Sequence, residues 1–118
     1  MIIRKIVNEK MSRIVEHNGT VYLAGIVSDD KELDIKVQAK RALEILDERL
    51  KEAGSNKHHI LRTEIFLKDI YRDFNNFNEV WKEWIPEDDK PARSCVQANM
   101  ASHNTLVELV ITAAKIES

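Results

Sequence analysis

The sequence feature that most constrains the fold is one long apolar stripe at helical spacing, which starts after Lys31 and stops at Gly54. Apolar residues recur every three or four positions along it: Ile35, Ala39, Ala42, Leu43, Leu46, Leu50 and Ala53. This period predicts an amphipathic helix with one face against a core. Gly54 is suited to end the helix because glycine adopts the left-handed conformation common just after a helix C-terminus.

The segments before and after this helix have the shorter period of β-strands. Residues 2–7 and 12–27 precede it, and the second segment divides at Asn18-Gly19, a dipeptide typical of a two-residue hairpin turn. Residues 61–68, which follow the helix, are rich in β-branched and aromatic side chains. Such a composition favours a strand over a helix.

A second, shorter helix is predicted between that strand and Pro86. Its aromatic residues fall on one face: Phe74, Phe77, Trp81 and Trp84. Asp73 is a candidate for the N-cap, and Pro86 ends the helix because proline cannot continue the hydrogen-bond ladder. Asn78 lies at the edge of the aromatic face, where its amide either bonds a nearby loop carbonyl or contacts a ligand.

Two final strands, 92–99 and 105–115, complete the order βββαβαββ. This order predicts a single α+β domain over residues 1–118, with a six-stranded sheet and two helices on one face. The strands carry apolar residues on both sides, as in Val21 against Tyr22, and two helices cannot cover both faces of the sheet. We therefore expect other copies of the chain to cover the second face.

Composition narrows the classes of function. The 118 residues carry 18 Lys and Arg against 20 Asp and Glu, a formal charge of −2, which argues against nucleic acid as a partner. The single cysteine cannot form an internal disulfide, and the N-terminal sequence MIIRKIVNEK lacks the apolar segment of a signal peptide. No apolar run approaches the ~20 residues that span a bilayer. We expect a cytoplasmic protein that does not bind membranes.

The last two predicted strands contain charged residues among apolar ones. If these strands form an antiparallel hairpin with Asn99 opposite Leu106, then Arg93 and Glu108 lie on the same face of the sheet. A register shifted by one residue puts them on opposite faces, and the sequence does not distinguish the two. An ion pair between Arg93 and Glu108 across an interface is the structural alternative to a shared functional site.

Several stretches of the sequence occur in the same order in a known family. They are Gln38, Ala53-Gly54, Thr63-Glu64-Ile65-Phe66-Leu67, Phe77-Asn78-Glu79-Val80-Trp81, Pro91-Ala92-Arg93-Ser94-Cys95-Val96, and a glutamate thirteen residues after that cysteine. Together they closely resemble the Rid/YjgF family of reactive-intermediate deaminases, which is also described as the endoribonuclease L-PSP family. The resemblance spans nearly the whole chain.

The resemblance implies a chorismate-mutase-like fold, in which a six-stranded mixed sheet carries two helices on one face. It also implies a homotrimer with a central β-barrel and with sites in the clefts between subunits. The implied activity is the hydrolysis of short-lived 2-imino acids, such as 2-aminoacrylate and 2-iminobutyrate, to 2-keto acids and ammonia. No metal or organic cofactor takes part in that reaction.

By the same resemblance, Arg93 binds the substrate carboxylate through two hydrogen bonds, and Glu108 positions or activates a water molecule. Cys95 lines the pocket, largely through its backbone, while Asn78 and Gly25 contact the substrate. We do not expect Cys95 to act as a nucleophile, because no histidine lies in a recognisable arrangement with it and imine hydrolysis needs no thioester.

Two stretches depart from the family pattern. The Gly-Pro-Tyr of many deaminating members is replaced by Lys10-Met11-Ser12-Arg13, so a tyrosine that faces the substrate is absent. The usual Ser-Gly-Gln reads Ala24-Gly25-Ile26, which keeps the glycine and loses two polar neighbours. Two other functions are alternatives: an endoribonuclease that inhibits translation, which would need a basic groove, and a non-catalytic trimer that binds small carboxylates through Arg93.

Overall fold

The computed structural model describes residues 1–116, which form six β-strands, two α-helices and one 3-10 helix. In chain order the elements are β1 (Ile2–Val7), β2 (Ser12–His17), β3 (Thr20–Leu23), α1 (Ile35–Glu52), the 3-10 helix (Lys57–His59), β4 (Ile60–Leu67), α2 (Ile70–Trp84), β5 (Ala92–Gln97) and β6 (Val107–Ala114). This order confirms the predicted α+β class and the predicted sequence of strands and α-helices.

The six strands form one mixed sheet in the order β1-β2-β3-β6-β4-β5. Neighbouring strands are antiparallel except β4 and β5, which run parallel. At the turn between β2 and β3, Asn18 and Gly19 have φ of 51° and 78°. Both turn residues thus adopt the positive φ that the Asn-Gly dipeptide predicts.

β5 and β6 do not pair with each other, so the antiparallel hairpin considered for the last two strands does not form. β4 lies between these two strands and pairs with β5 on one side and β6 on the other. β5 follows β4 through α2, and a crossover through a helix returns the chain parallel to the strand it left. β6 takes an interior position between β3 and β4, where its backbone groups are paired on both sides.

Both α-helices join one core with the strand residues of a single sheet face. The largest fully buried side chains include Phe77, Ile14, Leu43, Leu46, Leu50, Ile65, Leu67, Leu109 and Ile111. The predicted aromatic face of α2 is only partly buried, because Phe74 at its N-terminal end is 38% exposed. Neither α-helix of the described chain combines the length and apolar character needed to cross a membrane.

The N-cap of α2 is Asp69 rather than the predicted Asp73. The Asp69 carboxylate accepts a hydrogen bond of 3.0 Å from the Arg72 amide. Asp73 lies inside the helix, is buried, and pairs with the Arg72 guanidinium at 2.9 Å. The helix begins one turn earlier than the spacing of its aromatic residues indicates. That spacing carries no information about a polar N-cap residue.

None of the described helices covers the opposite face of the sheet. Two cross-strand rows of side chains on this open face are Tyr22, Thr112 and Arg62, and Val96, Phe66 and Glu108. Tyr22 is 47% exposed and Val96 is 48% exposed. Exposed apolar residues on this face agree with the expectation that other copies of the chain cover it. The homotrimer remains a prediction.

Candidate functional site

Arg93 lies on the helix side of β5, where α2 holds its guanidinium group. Its register partner on β4 is Thr63, which is fully buried under the helices. The Arg93 Nη2 atom donates a hydrogen bond of 2.7 Å to Oδ1 of Asn78. The guanidinium carbon lies 5.6 Å from the centroid of the Trp81 ring. One amide and one aromatic ring therefore orient the guanidinium group.

Asn78 and Trp81 reach Arg93 together because they lie three residues apart on α2, on neighbouring positions of one helix face. The Asn78 amide thus bonds the arginine rather than a loop carbonyl. The helical period places Trp81 only in the core, and its contact with Arg93 was missed. The sequence signal that could have predicted this cluster is an amide and an aromatic residue one helical turn apart, followed by a strand that carries an arginine.

No carboxylate in the described part of the chain forms an ion pair with Arg93. Its side-chain hydrogen bond is to a neutral amide, and the residue is only partly buried. Arg93 also lines a cavity of about 560 Å³ beside α2. The guanidinium group is therefore oriented by neutral groups and is not neutralised by a carboxylate of the described chain.

Glu108 lies on the open face of the sheet, in the row that also contains Phe66 and Val96. Its carboxylate packs against the backbone at Gly25, where an added Cβ would stand only 2.5 Å from Oε2. A small cavity of about 160 Å³ adjoins Glu108 and the loop at residues 98–101. None of the cations in the described chain pairs with this carboxylate.

Gly25 is held beside Glu108 by hydrogen bonds on the next residue. The Ile26 amide donates to the Leu109 carbonyl at 2.8 Å, and the Leu109 amide donates to the Ile26 carbonyl at 2.9 Å. This antiparallel bridge fixes the chain at Gly25 beside β6, where the Glu108 side chain reaches it. The space that the sequence interpretation assigned to an approaching ligand is thus occupied, at least in part, by the Glu108 carboxylate.

Arg93 and Glu108 lie on opposite faces of the sheet, which decides between the two arrangements that the sequence left open. Thr63 is the β4 partner of Arg93, and Phe66 is the β4 partner of Glu108. Side chains three positions apart on a strand point to opposite faces. Within one chain the two residues therefore form neither an ion pair nor a common site.

Cys95 lies on the helix side of β5, on the same face as Arg93 and opposite Ile65. It packs against the core and lines a cavity of about 500 Å³ next to α2. Burial raises the pKa of the Cys95 thiol, and the positive charge of Arg93 offsets that shift only in part. The thiol is therefore protonated at neutral pH, which agrees with its interpretation as a non-nucleophilic residue.

Gln38 fixes the loop that leads into β6. Its Nε2 atom donates to the carbonyls of Glu32 at 2.9 Å and Asn104 at 2.7 Å, and its Oε1 atom accepts from the Leu106 amide at 2.9 Å. The side chain is fully buried. Since Glu108 follows two residues after Leu106, this buried amide sets where the strand that carries Glu108 begins.

The residues that the structure describes contain no group of three or more His, Cys, Asp or Glu side chains arranged to hold a metal ion. His58 instead pairs with Asp89 at 2.9 Å, and the His59 ring contacts Asn56 at 2.8 Å.

Comparison with known proteins agrees with this fold along the whole chain. Residues 4–115 match the family model described as Endoribonuclease L-PSP. The chain is 35% identical over 113 residues to the RutC family protein YoaB of Escherichia coli, covering 96% of this chain and 97% of the relative. It is 33% identical over 114 residues to a RutC family protein of Haemophilus ducreyi, covering 97% of each.

Solved structures give the same result. A member of the YjgF protein family from Neisseria meningitidis matches with a TM-score of 0.96 at 33% identity, covering 100% of this chain and 98% of the other. The Rid family protein YyfA from Yersinia pestis matches with a TM-score of 0.84 at 27% identity, covering 92% and 90%. The fold is that of a YjgF-like α+β protein. The chain belongs to the Rid/YjgF family, also described as endoribonuclease L-PSP.

Proposed function

We propose that the protein is a cytoplasmic imine deaminase, which hydrolyses 2-imino acids such as 2-aminoacrylate and 2-iminobutyrate to 2-keto acids and ammonia. The observation that carries the proposal is the state of Arg93, whose guanidinium is oriented by Asn78 and Trp81 and is not neutralised by a carboxylate of the described chain. A planar guanidinium in this condition suits bidentate binding of a substrate carboxylate.

The site is proposed to lie between two copies of the chain. Arg93 and Glu108 occupy opposite faces of one sheet, so a single chain cannot present both to one small substrate. A neighbouring copy whose own open face packs against the outer edge of β5 would bring its Glu108 towards Arg93. The exposed side chains of Tyr22 and Val96 and the unpaired outer edge of β5 favour such contact. Three copies related by a three-fold axis would cover every open face.

The proposed reaction needs one water molecule and no change of oxidation state. Water adds to the carbon of the C=N bond while Glu108 accepts one of its protons, and the nitrogen gains a proton from solvent to give a carbinolamine. Return of the proton from Glu108 makes ammonia the leaving group, and the hydroxyl proton is released to solvent as the C=O bond of the 2-keto acid forms. The enamine 2-aminoacrylate enters this sequence after it tautomerises to the imine.

The proposed roles of the remaining residues follow from their positions. Gly25 leaves room for the Glu108 carboxylate, and Asn78 holds Arg93. Cys95 lines the pocket and forms no covalent bond to the substrate, because a thiol with a raised pKa is a poor nucleophile at neutral pH.

A coupled assay tests the proposal. A threonine or serine dehydratase generates the imine, and the appearance of the 2-keto acid is followed with and without the protein. We expect the protein to accelerate keto-acid formation, and Glu108→Gln to lower that acceleration by about 10²-fold while leaving the fold intact. Sedimentation equilibrium at micromolar concentration is expected to give a trimer.

Two outcomes would redirect the assignment. Binding of 2-ketobutyrate without any acceleration would favour a non-catalytic carboxylate-binding protein, which the missing N-terminal tyrosine keeps as a second candidate. Cleavage of a single-stranded RNA that is abolished by Arg93→Ala would favour the endoribonuclease of the family description.

A further inference from the structure

The cavity that Arg93 lines is larger than a three- or four-carbon imino acid requires. It measures about 560 Å³, within the range of sites that hold much larger ligands. Its walls come from the C-terminal half of α2, from the segment between α2 and β5, and from β5 itself: Trp81, Lys82, Ile85, Glu87, Lys90, Pro91 and Arg93. The substrate side chain therefore has room beyond the group that Arg93 binds.

The charge of this cavity is positive although the chain as a whole has a formal charge of −2. Three cations line it, Arg93, Lys82 and Lys90, against the single carboxylate of Glu87. The Lys90 Nζ atom donates to the backbone carbonyl of Glu87 at 2.8 Å rather than to a carboxylate. Neither lysine forms an ion pair with any residue that the structure describes.

This arrangement contrasts with that of other cations on the helices. Lys36 of α1 pairs with Glu79 at 2.7 Å, and Arg41 pairs with Asp29 at 2.7 Å. In each of these ion pairs the carboxylate neutralises the charge of the cation. Around Arg93 the excess charge is left for a ligand, and a cleft lined by one sign of charge raises the local concentration of oppositely charged molecules.

We propose that this cavity binds 2-imino acids whose side chain carries a second carboxylate. The first carboxylate binds Arg93, and the second lies towards Lys82 and Lys90, which line the same cavity. The inference rests on the proposed function, since it places the substrate carboxylate on Arg93. It narrows the substrate class from imino acids in general to dicarboxylic imino acids, which oxidation or dehydrogenation of an acidic amino acid would supply.

Stable keto acids test the inference without the reaction. Calorimetric titration of the intact protein compares 2-ketoglutarate, which has a second carboxylate, with 2-ketopentanoate, which has the same number of carbons and no second charge. We expect 2-ketoglutarate to bind about 10-fold more tightly at low salt. The preference is expected to shrink as ionic strength rises, because partly exposed charges are screened.

Substitutions assign the preference to the two lysines. In the double variant Lys82→Met, Lys90→Met the preference for 2-ketoglutarate is expected to fall to about 2-fold or less. Lys40→Met is the matched control, because Lys40 is an exposed lysine of α1 that lines a different cavity of about 270 Å³. This control variant is expected to keep the full preference.

The outcomes separate this inference from the proposed function. Equal binding of the two keto acids to the parent protein, or a preference that survives in the double lysine variant, overturns the dicarboxylate assignment and leaves the deaminase proposal standing. Binding of neither keto acid, nor of 2-ketobutyrate, removes the carboxylate site at Arg93 and overturns both.

Discussion

The backbone of Gly25 lies directly against the carboxylate of Glu108, so closely that a Cβ on residue 25 would stand 2.5 Å from Oε2 and 2.9 Å from Cδ. Unlike Gly19 and Gly54, this glycine does not have a positive φ. What the position requires is therefore space rather than an unusual backbone conformation.

Gly25→Ala is expected to displace the Glu108 carboxylate and to lower imine hydrolysis by about 10²-fold, the size of effect that loss of one general acid or base produces. Binding of 2-ketobutyrate by calorimetry is the control, and it should change little because Arg93, not Glu108, binds the carboxylate in the proposed site. In the double variant with Glu108→Gln the losses should not add, since both changes remove the same interaction. Additive losses would mean that Gly25 acts independently of Glu108.

Arg93→Lys is expected to fail almost as badly as Arg93→Ala in binding 2-ketobutyrate, because lysine offers a point charge without the planar fork. The loss should be about 2–5 kcal/mol, as for truncation of one member of a buried charge pair. Both variants should elute with the parent on a sizing column, since Arg93 does not pair with Glu108 within the chain. Binding equal to that of the parent would remove Arg93 from the site.

Asn78→Asp is expected to weaken binding of 2-ketobutyrate by about 10-fold relative to the parent. Asn78→Ala is expected to weaken it less. The new carboxylate would stand where the amide oxygen now lies 2.7 Å from Arg93 and would compete with the ligand for the guanidinium. Asn76→Asp on the exposed side of the same helix is the control for added charge. If the two aspartate variants behave alike by calorimetry, the contact between Asn78 and Arg93 does not influence the ligand.

Cys95→Ala is expected to keep activity within about 3-fold of the parent, because the thiol forms no bond to the substrate. In the parent protein the raised pKa of Cys95 leaves little thiolate at neutral pH. Alkylation by iodoacetamide should therefore be slower than that of a free cysteine at pH 7 and should rise only as the pH passes the ordinary cysteine range. Rapid alkylation at pH 7 would contradict this environment.

Gln38→Leu is expected to lower the free energy of unfolding by about 1–3 kcal/mol, measured by urea denaturation. The apolar side chain leaves the Leu106 amide and the carbonyls of Glu32 and Asn104 without their buried partner. Gln38→Glu should be at least as damaging, because an ionised carboxylate cannot donate to either carbonyl. An unchanged midpoint in Gln38→Leu would show that water replaces these hydrogen bonds without cost.

Local patterns in the sequence determined the elements of this protein and the residues to examine. The helical stripe before Gly54, the Asn18-Gly19 turn and the order of strands and helices depend on side-chain period and on backbone preferences that act within a few residues, and the structure confirms them. The sequence motif around Arg93 also indicated the family, which the match to the family model confirms.

Only the tertiary structure decided which strands are neighbours, and with that where the charged residues lie. The insertion of β4 between β5 and β6 puts Arg93 under the helices and Glu108 on the open face. Strand pairing joins segments that are far apart in sequence, so neither the partner nor the register is written in the period of either strand. The contact of Trp81 with Arg93 and of Gly25 with Glu108 follows from that packing, because each joins two elements whose relative position the core sets.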